Sequence, residues 1–211
     1  LYEKLPYDAL KGFTPITVLV RVPWVVAVHA DVPAATLQEF AALAKAQPGA
    51  FSYGSLGPGS STHVSTEYLK QQLEIDMAHV PFKGESPAVT ALLTGQIQMM
   101  MVTPFLVESH ARAGRLKILA AASARRIPAL NQLPTVAESG VPGYEALVWI
   151  GLLAPAGTPR EIIARLNGEI AKLVRTDEVK KLIGPTGMEP DPDTPDQFAA
   201  YIKGDYDKWG K

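Results

Sequence analysis

The sequence predicts an α/β protein built on a mostly parallel sheet with helices on both faces. Three observations carry that expectation. Apolar, β-branched runs of strand length alternate with amphipathic stretches of helix length from Ile16 to Ala121. The junctions carry helix punctuation, with Thr or Ser ahead of a helical stretch and Gly or Pro behind it. A chain of 211 residues with 47% hydrophobic content can also bury a substantial core, in one large domain or two small ones.

Residues 16–22 and 24–28 are β-branched runs broken by Pro23, the kind of long extended segment that crosses from one domain to another. Thr36 and Glu39 form a capping box that opens a helix to about Ala46, which Pro48-Gly49 stops. A short strand at 50–53 leads through small residues into a helical pattern at 64–72. A strand over Ala78–Pro81 precedes the loop Phe82-Lys83-Gly84-Glu85. Ser86 is placed to cap the next helix, with Pro87 at its first position and Gly95 at its end. Residues 97–102 read as a buried strand, Pro104–Arg112 as a helix closed by Gly114, and Leu116–Ala121 as another strand. In β-α-β-α order the ligand crevice lies beyond the carboxyl ends of the strands. That rule gathers the turn after Tyr53, the loop Phe82-Lys83-Gly84 and Thr103 at one cleft.

The turn at 53–63, YGSLGPGSSTH, is the most informative stretch. A loop of small residues that opens a helix presents free backbone N–H groups and the positive end of the helix dipole, and glycines let a ligand approach the main chain. Ser55, Ser60, Ser61 and Thr62 add hydroxyls. This is the chemistry of an anion site, and the competing reading is a loop that only caps its helix. Gly54 and Gly59 have P-loop spacing, but Ser60-Ser61 stands where Lys-Ser/Thr belongs, so a nucleoside triphosphate is disfavoured. Gly57-x-Gly59-x-x-Thr62 lacks the third glycine of a dinucleotide fingerprint, and Asp76 precedes a strand rather than ending one. The pattern is not Gly-x-Ser-x-Gly, and no neighbouring acid or base is spaced to activate a serine.

Charge and composition exclude other classes. With 20 basic and 21 acidic residues and no basic stripe, nucleic acid is a poor partner, and no apolar run reaches membrane-spanning length. Cysteine is absent, which removes disulfides, thiolate catalysis and Cys-ligated zinc. His29, His63, His79 and His110 show no metal-ligand spacing, so neither a metal nor another cofactor is expected. His63 is read as orienting the loop or its ligand, and His79 as a satisfied histidine inside a strand. Met99, Met100 and Met101 are read as core. Lys83 is either a positive charge at the cleft or a surface lysine bridging to Glu85 or Asp76.

Beyond Ser123 the chain is rich in turn residues to about Val148, then carries an apolar run at 146–154. Thr158 is placed to cap a long amphipathic helix with Pro159 at its first position and Ile162, Ile163, Leu166, Ile170 and Leu173 on one face. Thr176 opens a shorter helix to Ile183, and Pro195 starts the last one. These helices have one or two strands at most to cover, so this half reads as underfilled. Leu1 follows neither an initiator Met nor a signal sequence, and the chain is expected to be a mature or truncated product.

Several segments together resemble one family. Leu5-Pro6-Tyr7-Asp8, the serine/glycine turn, His79-Val80-Pro81-Phe82-Lys83-Gly84, the helix from Pro87 to Gly95 with Gln96, Pro134-Thr135-Val136-Ala137-Glu138-Ser139-Gly140, and the stretch from Gly151 to Pro159 are similar to the Bug/TctC extracytoplasmic solute receptors of tripartite tricarboxylate transporters. The resemblance spans essentially the whole chain. It implies a two-domain periplasmic-binding-protein (Venus-flytrap) fold, here N-terminally incomplete, closing over a small carboxylate. Residues 1–23 would be part of domain 1 and a crossover strand, 24–121 a complete domain 2, and 122–211 a return crossover with the rest of domain 1. Ser55, Gly57, Gly59, Ser60, Ser61 and His63 would surround one carboxylate, with Phe82, Lys83 and Gly84 alongside. Partners would be membrane transporter subunits, the location periplasmic, and the full-length protein a monomer.

Two departures bear on the ligand. Many members carry Asp just after the methionine-containing strand, where this chain has Val102-Thr103. Trp24 stands where smaller or polar residues are common, and is either an apolar wall for the ligand or packed beneath the sheet. Both changes favour an apolar spacer, hence a dicarboxylate or aromatic carboxylate. A ligand-sensing effector domain and a carboxylate-acting enzyme are the alternatives. The first needs a DNA-binding helix-turn-helix that no basic N-terminal segment supplies, and the second a general base where the loop offers only His63.

Overall fold

A computed structural model describes residues 6–184 and 188–210. Leu5 of the motif at 5–8 lies outside the described residues. The chain divides into two compact units, one formed by Pro23–Val148 and the other by the segments on either side of it.

The Pro23–Val148 unit holds a five-stranded sheet of β2 (Val25–His29), β3 (Ser52–Ser55), β4 (Ala78–Pro81), β5 (Met99–Val102) and β6 (Leu116–Ala121), in the order β4-β3-β5-β2-β6. β3 pairs in parallel with β4 and β5, whereas β2 pairs antiparallel with both β5 and β6. Four strands therefore share one direction, and β2 alone runs against them. α1 (Leu37–Ala46), α2 (Ser61–Leu73), α3 (Glu85–Leu93) and α4 (Pro104–Arg112) connect the strands. Val25, Ala27, Met100 and Val102 pack with Ala88, Leu92 and Val107 of α3 and α4 on one face of the sheet. Met99, Met100 and Met101 are all fully buried, as alternating residues of a strand covered on both sides must be.

Residues 122–148, expected as a return crossover, belong to this unit instead. Val136 N–H donates to Ala121 O (2.8 Å), Ala146 N–H donates to Ala122 O, and the Tyr144 hydroxyl donates to Ser65 O of α2 (2.8 Å). Buried Val136, Val141, Tyr144 and Ala146 give the turn-rich stretch enough apolar surface to hold against the sheet.

The other unit contains a three-stranded sheet of β1 (Phe13–Pro23), β7 (Leu147–Pro155) and β8 (Glu189–Pro190), ordered β7-β1-β8, with α5 (Arg160–Val174), α6 (Asp177–Ile183) and α7 (Pro195–Trp209). β1 is central in this sheet. Phe198 of α7 is fully buried beside Gly151, where an added Cβ would collide with its ring. Asn167 of α5 donates to Ile16 O (2.9 Å) and Asp193 O (2.7 Å). The amphipathic face of α5 is split: Ile163 and Ile170 pack with Ile16 and Ala154, while Ile162, Leu166 and Leu173 stay exposed.

Two helix starts differ from the sequence reading. α3 begins at Glu85 with Gly84 as N-cap, ahead of Ser86, because a proline at the third helical position still lacks only an N–H that has no intrahelical partner. Thr158 donates its hydroxyl to Pro155 O (2.8 Å) and leaves Pro159 as the N-cap of α5.

Candidate anion-binding rim

The parallel direction of β3, β4 and β5 brings their carboxyl ends to one rim, where each strand hands over to a helix: β3 to α2, β4 to α3 and β5 to α4. Three helix N-termini, each with partial positive charge and unused N–H groups, thus end side by side. Phe82 N–H donates to Ser55 O (2.8 Å), fixing the α3 loop next to the α2 loop. Because β2 is reversed, its amino end reaches the same rim: Val25 pairs with Val102 and Ala121, so Trp24 stands between Thr103 and Ala122 and accepts from Ala122 N–H at 2.8 Å.

The 55–63 loop is held by its own side chains. Thr62, fully buried, accepts from Leu56 N–H (3.0 Å). Ser55 Oγ accepts from Gly57 N–H (3.1 Å). Ser60 Oγ donates to Gly57 O (2.7 Å) and accepts from His63 N–H (3.3 Å), as an N-cap does. His63 Nδ1 accepts from Gly59 N–H (3.3 Å). Gly57 (φ 103°) and Gly59 (φ 79°) take conformations that L side chains resist. After this internal accounting, the N–H groups of Ser61 and Thr62 and the Ser61 hydroxyl have no hydrogen-bond partner among the described residues, and Ser61 is exposed. Ser55, Gly57, Ser60, Thr62 and His63 are the frame that aims those donors.

Behind the loop lies a layer of rings. His79 stacks on Tyr53 (5.0 Å between centroids) and sits 4.3 Å from His63, and its Nε2 is 2.6 Å from Ser55 Oγ. The Tyr53 hydroxyl donates to Glu67 (2.5 Å), which also accepts from Lys70 (2.8 Å). Burial, with the charge of His63 adding to it, holds the His79 pKa below its ordinary value, so the ring is neutral at pH 7. Burial would raise the Glu67 carboxyl, but hydrogen bonds from Lys70 and Tyr53 hold it below the usual range. Burial and the bond to Glu67 push the Tyr53 phenol far up.

At the α3 and α4 N-termini, Thr103 Oγ1 donates to Glu85 Oε2 (3.0 Å). Burial raises the Glu85 pKa against the two hydrogen bonds from Thr103. Its Oε1 is enclosed without a partner among the described residues, and so is Trp24 Nε1. Phe82 is half-buried over Gly54, and Lys83 is exposed with no ion pair among the described residues. His79, read from sequence as a core histidine, is bonded to the loop; its strand position two residues before Pro81, in register with Tyr53, is the signal that places it there. Glu85 was not singled out, because an acidic residue in a first helical turn ordinarily complements the dipole in solvent.

The whole chain, residues 1–211, matches the model of the tripartite tricarboxylate transporter family receptor. A UPF0065 protein from the tcbD-tcbE intergenic region of Pseudomonas sp. strain P51 is 33% identical over 211 residues, covering 100% of this chain and 63% of that protein. BugT of Bordetella pertussis is 30% identical over 209 residues, covering 99% of this chain and 64% of its own length. The chain thus spans less than two thirds of these relatives. Among solved structures, R. palustris Rpa4515 with adipate superposes with a TM-score of 0.86 at 31% identity, covering 100% of this chain and 70% of that one. MatC from Rhodopseudomonas palustris with bound malate gives 0.84 at 29% identity, covering 99% and 72%.

Proposed function

The chain belongs to the tripartite tricarboxylate transporter receptor family, and from that premise we propose that it captures a small carboxylate in the periplasm and delivers it to a membrane transporter. The family is one of extracytoplasmic receptors, which sets aside the enzyme reading. Membrane subunits of the transporter are the partners in this reading; among the described residues no helix is long and apolar enough to cross a membrane. The full-length protein acts as a monomer in this reading.

The observation that supports carboxylate capture most directly is the start of the thirteen-residue helix α2, where the N–H groups of Ser61 and Thr62 have no partner among the described residues and Ser61 is exposed. A carboxylate has two acceptor oxygens and complements two adjacent N–H groups at the positive end of a dipole. Ser61 adds a hydroxyl, Gly59 leaves room for approach, and the N-termini of α3 at Gly84 and α4 at Thr103 face the same rim. Phe82 supplies apolar surface and Lys83 a nearby cation, while Trp24, 4% exposed, is packed into the core. Adipate and malate in the two solved relatives are consistent with this class of ligand.

The test is a thermal-shift screen of aliphatic and aromatic mono- and dicarboxylates on the full-length protein. A ligand at one hundred times its dissociation constant adds about 2.7 kcal/mol of stability. Absence of a shift with every carboxylate would remove the proposal.

A further inference from the structure

We propose that His79 is a positioning residue for carboxylate capture: by accepting a hydrogen bond from Ser55 it holds the 55–63 loop in its anion-binding shape, and a proton on His79 releases that hold and with it the ligand. This rests on the receptor reading above and deepens it by adding a control on the same site.

The hydrogen count of the loop assigns the sense of that bond. Ser55 Oγ lies 2.6 Å from His79 Nε2 and already accepts from Gly57 N–H at 3.1 Å. A serine hydroxyl has one hydrogen to give. The other acceptor near it, Gly57 O, is 3.4 Å away and is taken by Ser60 N–H (3.1 Å) and by the Ser60 hydroxyl (2.7 Å), which together fill both lone pairs of that carbonyl. The Ser55 hydrogen therefore goes to His79 Nε2, and the neutral ring carries its own proton on Nδ1.

Protonation undoes this arrangement. It turns Nε2 into a donor, which takes the Ser55 oxygen as its acceptor and leaves the Ser55 hydrogen to contest Gly57 O with Ser60. Gly57 and Ser60 fix the first turn of α2, where the Ser61 and Thr62 N–H groups stand. His79 is half-buried and faces Tyr53 of β3, stacked at 5.0 Å, with His63, Glu67 and Lys70 of α2. Burial, His63 and Lys70 oppose a charge on the ring and Glu67 favours it, and the balance lies below the ordinary histidine value. Two effects of opposite sign then act on a bound carboxylate: the added charge attracts it, and the broken frame disperses the N–H groups that hold it. Glu67, kept ionised against its burial by hydrogen bonds from Lys70 and Tyr53, offsets part of the added charge, so loss of the frame decides. By reciprocity, a ligand that prefers neutral His79 must lower the pKa of that ring.

The experiment is a pH titration of His79 by long-range proton–nitrogen correlation NMR on the full-length protein, free and saturated with adipate or with whichever acid shifts Tm most in the screen above. At pH 7 the free protein should carry the His79 proton on Nδ1 with Nε2 bare. Saturation should lower the His79 pKa by about half a pH unit or more, the reciprocal of a roughly threefold loss of affinity on protonation. Charge attraction alone would raise it, and protonation of the acid itself does not enter while the protein stays saturated. In parallel, His79→Phe keeps the ring stack and removes the acceptor, so affinity at pH 7 should fall at least fivefold, and His79→Gln supplies an amide oxygen in its place and should recover most of that loss. If His79→Phe fails to fold, the two NMR readings decide alone. A proton on Nε2 at pH 7, a pKa that rises or stays fixed on saturation, or wild-type affinity in His79→Phe overturns the inference and leaves the receptor reading standing. Failure of all carboxylates in the wider screen removes both.

Discussion

Thr62→Val is the sharpest perturbation of the loop. Thr62 is fully buried, and its Oγ1 is the acceptor for Leu56 N–H at 3.0 Å, with Ser60 Oγ 3.2 Å away. Valine conserves the volume and removes only the oxygen, so no cavity enters the comparison. The Leu56 N–H loses its acceptor, and the methyl that replaces it keeps a substitute away, which costs about 1–3 kcal/mol. If the loop keeps its shape, that cost appears as lost stability, about 2–12 °C in Tm for a protein of this size. If the loop instead opens to hydrate the N–H, the cost is met when ligand restores it, and affinity falls by about 5- to 150-fold. Calorimetric unfolding and calorimetric titration on the same full-length variant measure both routes, and the two effects together should account for the 1–3 kcal/mol. Thr62→Ser keeps the oxygen and should behave nearly as the wild type. A valine variant with unchanged Tm and unchanged affinity would refute the idea that side chains of the loop set its conformation.

Gly59→Val forces a β-branched residue into φ 79°, a strain of roughly 1–2 kcal/mol; binding should drop at least fivefold with the circular dichroism spectrum intact, and undiminished affinity in titration counts against the anion loop. Tyr144→Phe deletes the buried hydroxyl that holds residues 122–148 to Ser65 O; the loss of about 1 kcal/mol should be read in urea unfolding, and a midpoint equal to the wild type would mean the segment is held by its apolar residues alone. His79 has its pKa lowered from its ordinary 6.5 in the folded state, so the unfolded chain takes up the proton first as pH falls; stability is full above about 6.5 and declines below it. Tm measured from pH 8 to 5 should show that decline, and His79→Gln should flatten it; an identical profile in the variant assigns the decline to other groups.

Much of the Pro23–Val148 unit was legible because local chemistry there agrees with the fold. Thr36 does cap α1, its Oγ1 accepting from Glu39 N–H (3.2 Å), although Glu39 reaches back to Ala35 N–H (2.6 Å) rather than closing the box on Thr36, and the serine/glycine turn does open α2. The strand 116–121 and the helix 104–112 have the bounds their punctuation gave. What stayed hidden was nonlocal. An apolar β-branched run carries no mark of its direction, so the reversal of β2 could not be read from Val25 to Val28. β8 is two residues long, too short for any periodicity, and the sheet it completes looked poorer than it is. The loop residues were found, but their division of labour was not: hydroxyls of Ser55, Ser60 and Thr62 read as ligand donors until the backbone N–H groups they satisfy are seen. The bond that Thr103 donates to Glu85, eighteen residues away, has no local signature.

On the carboxylate-capture reading, the attraction of this rim for an anion is local, since the chain's net charge of −1 does not draw anions from a distance. Lys83 is exposed and lies where salt screens it. The remaining positive potential comes from the first turns of α2, α3 and α4, and helix-terminus fields fade within a turn. In that reading discrimination is made at contact, by N–H geometry. Glu85, in the first turn of α3, opposes those partial positive ends only as far as it is ionised, and its burial favours the neutral form. The reversed strand brings Trp24 to this rim as well; with β2 running the other way it would sit at the opposite edge of the sheet.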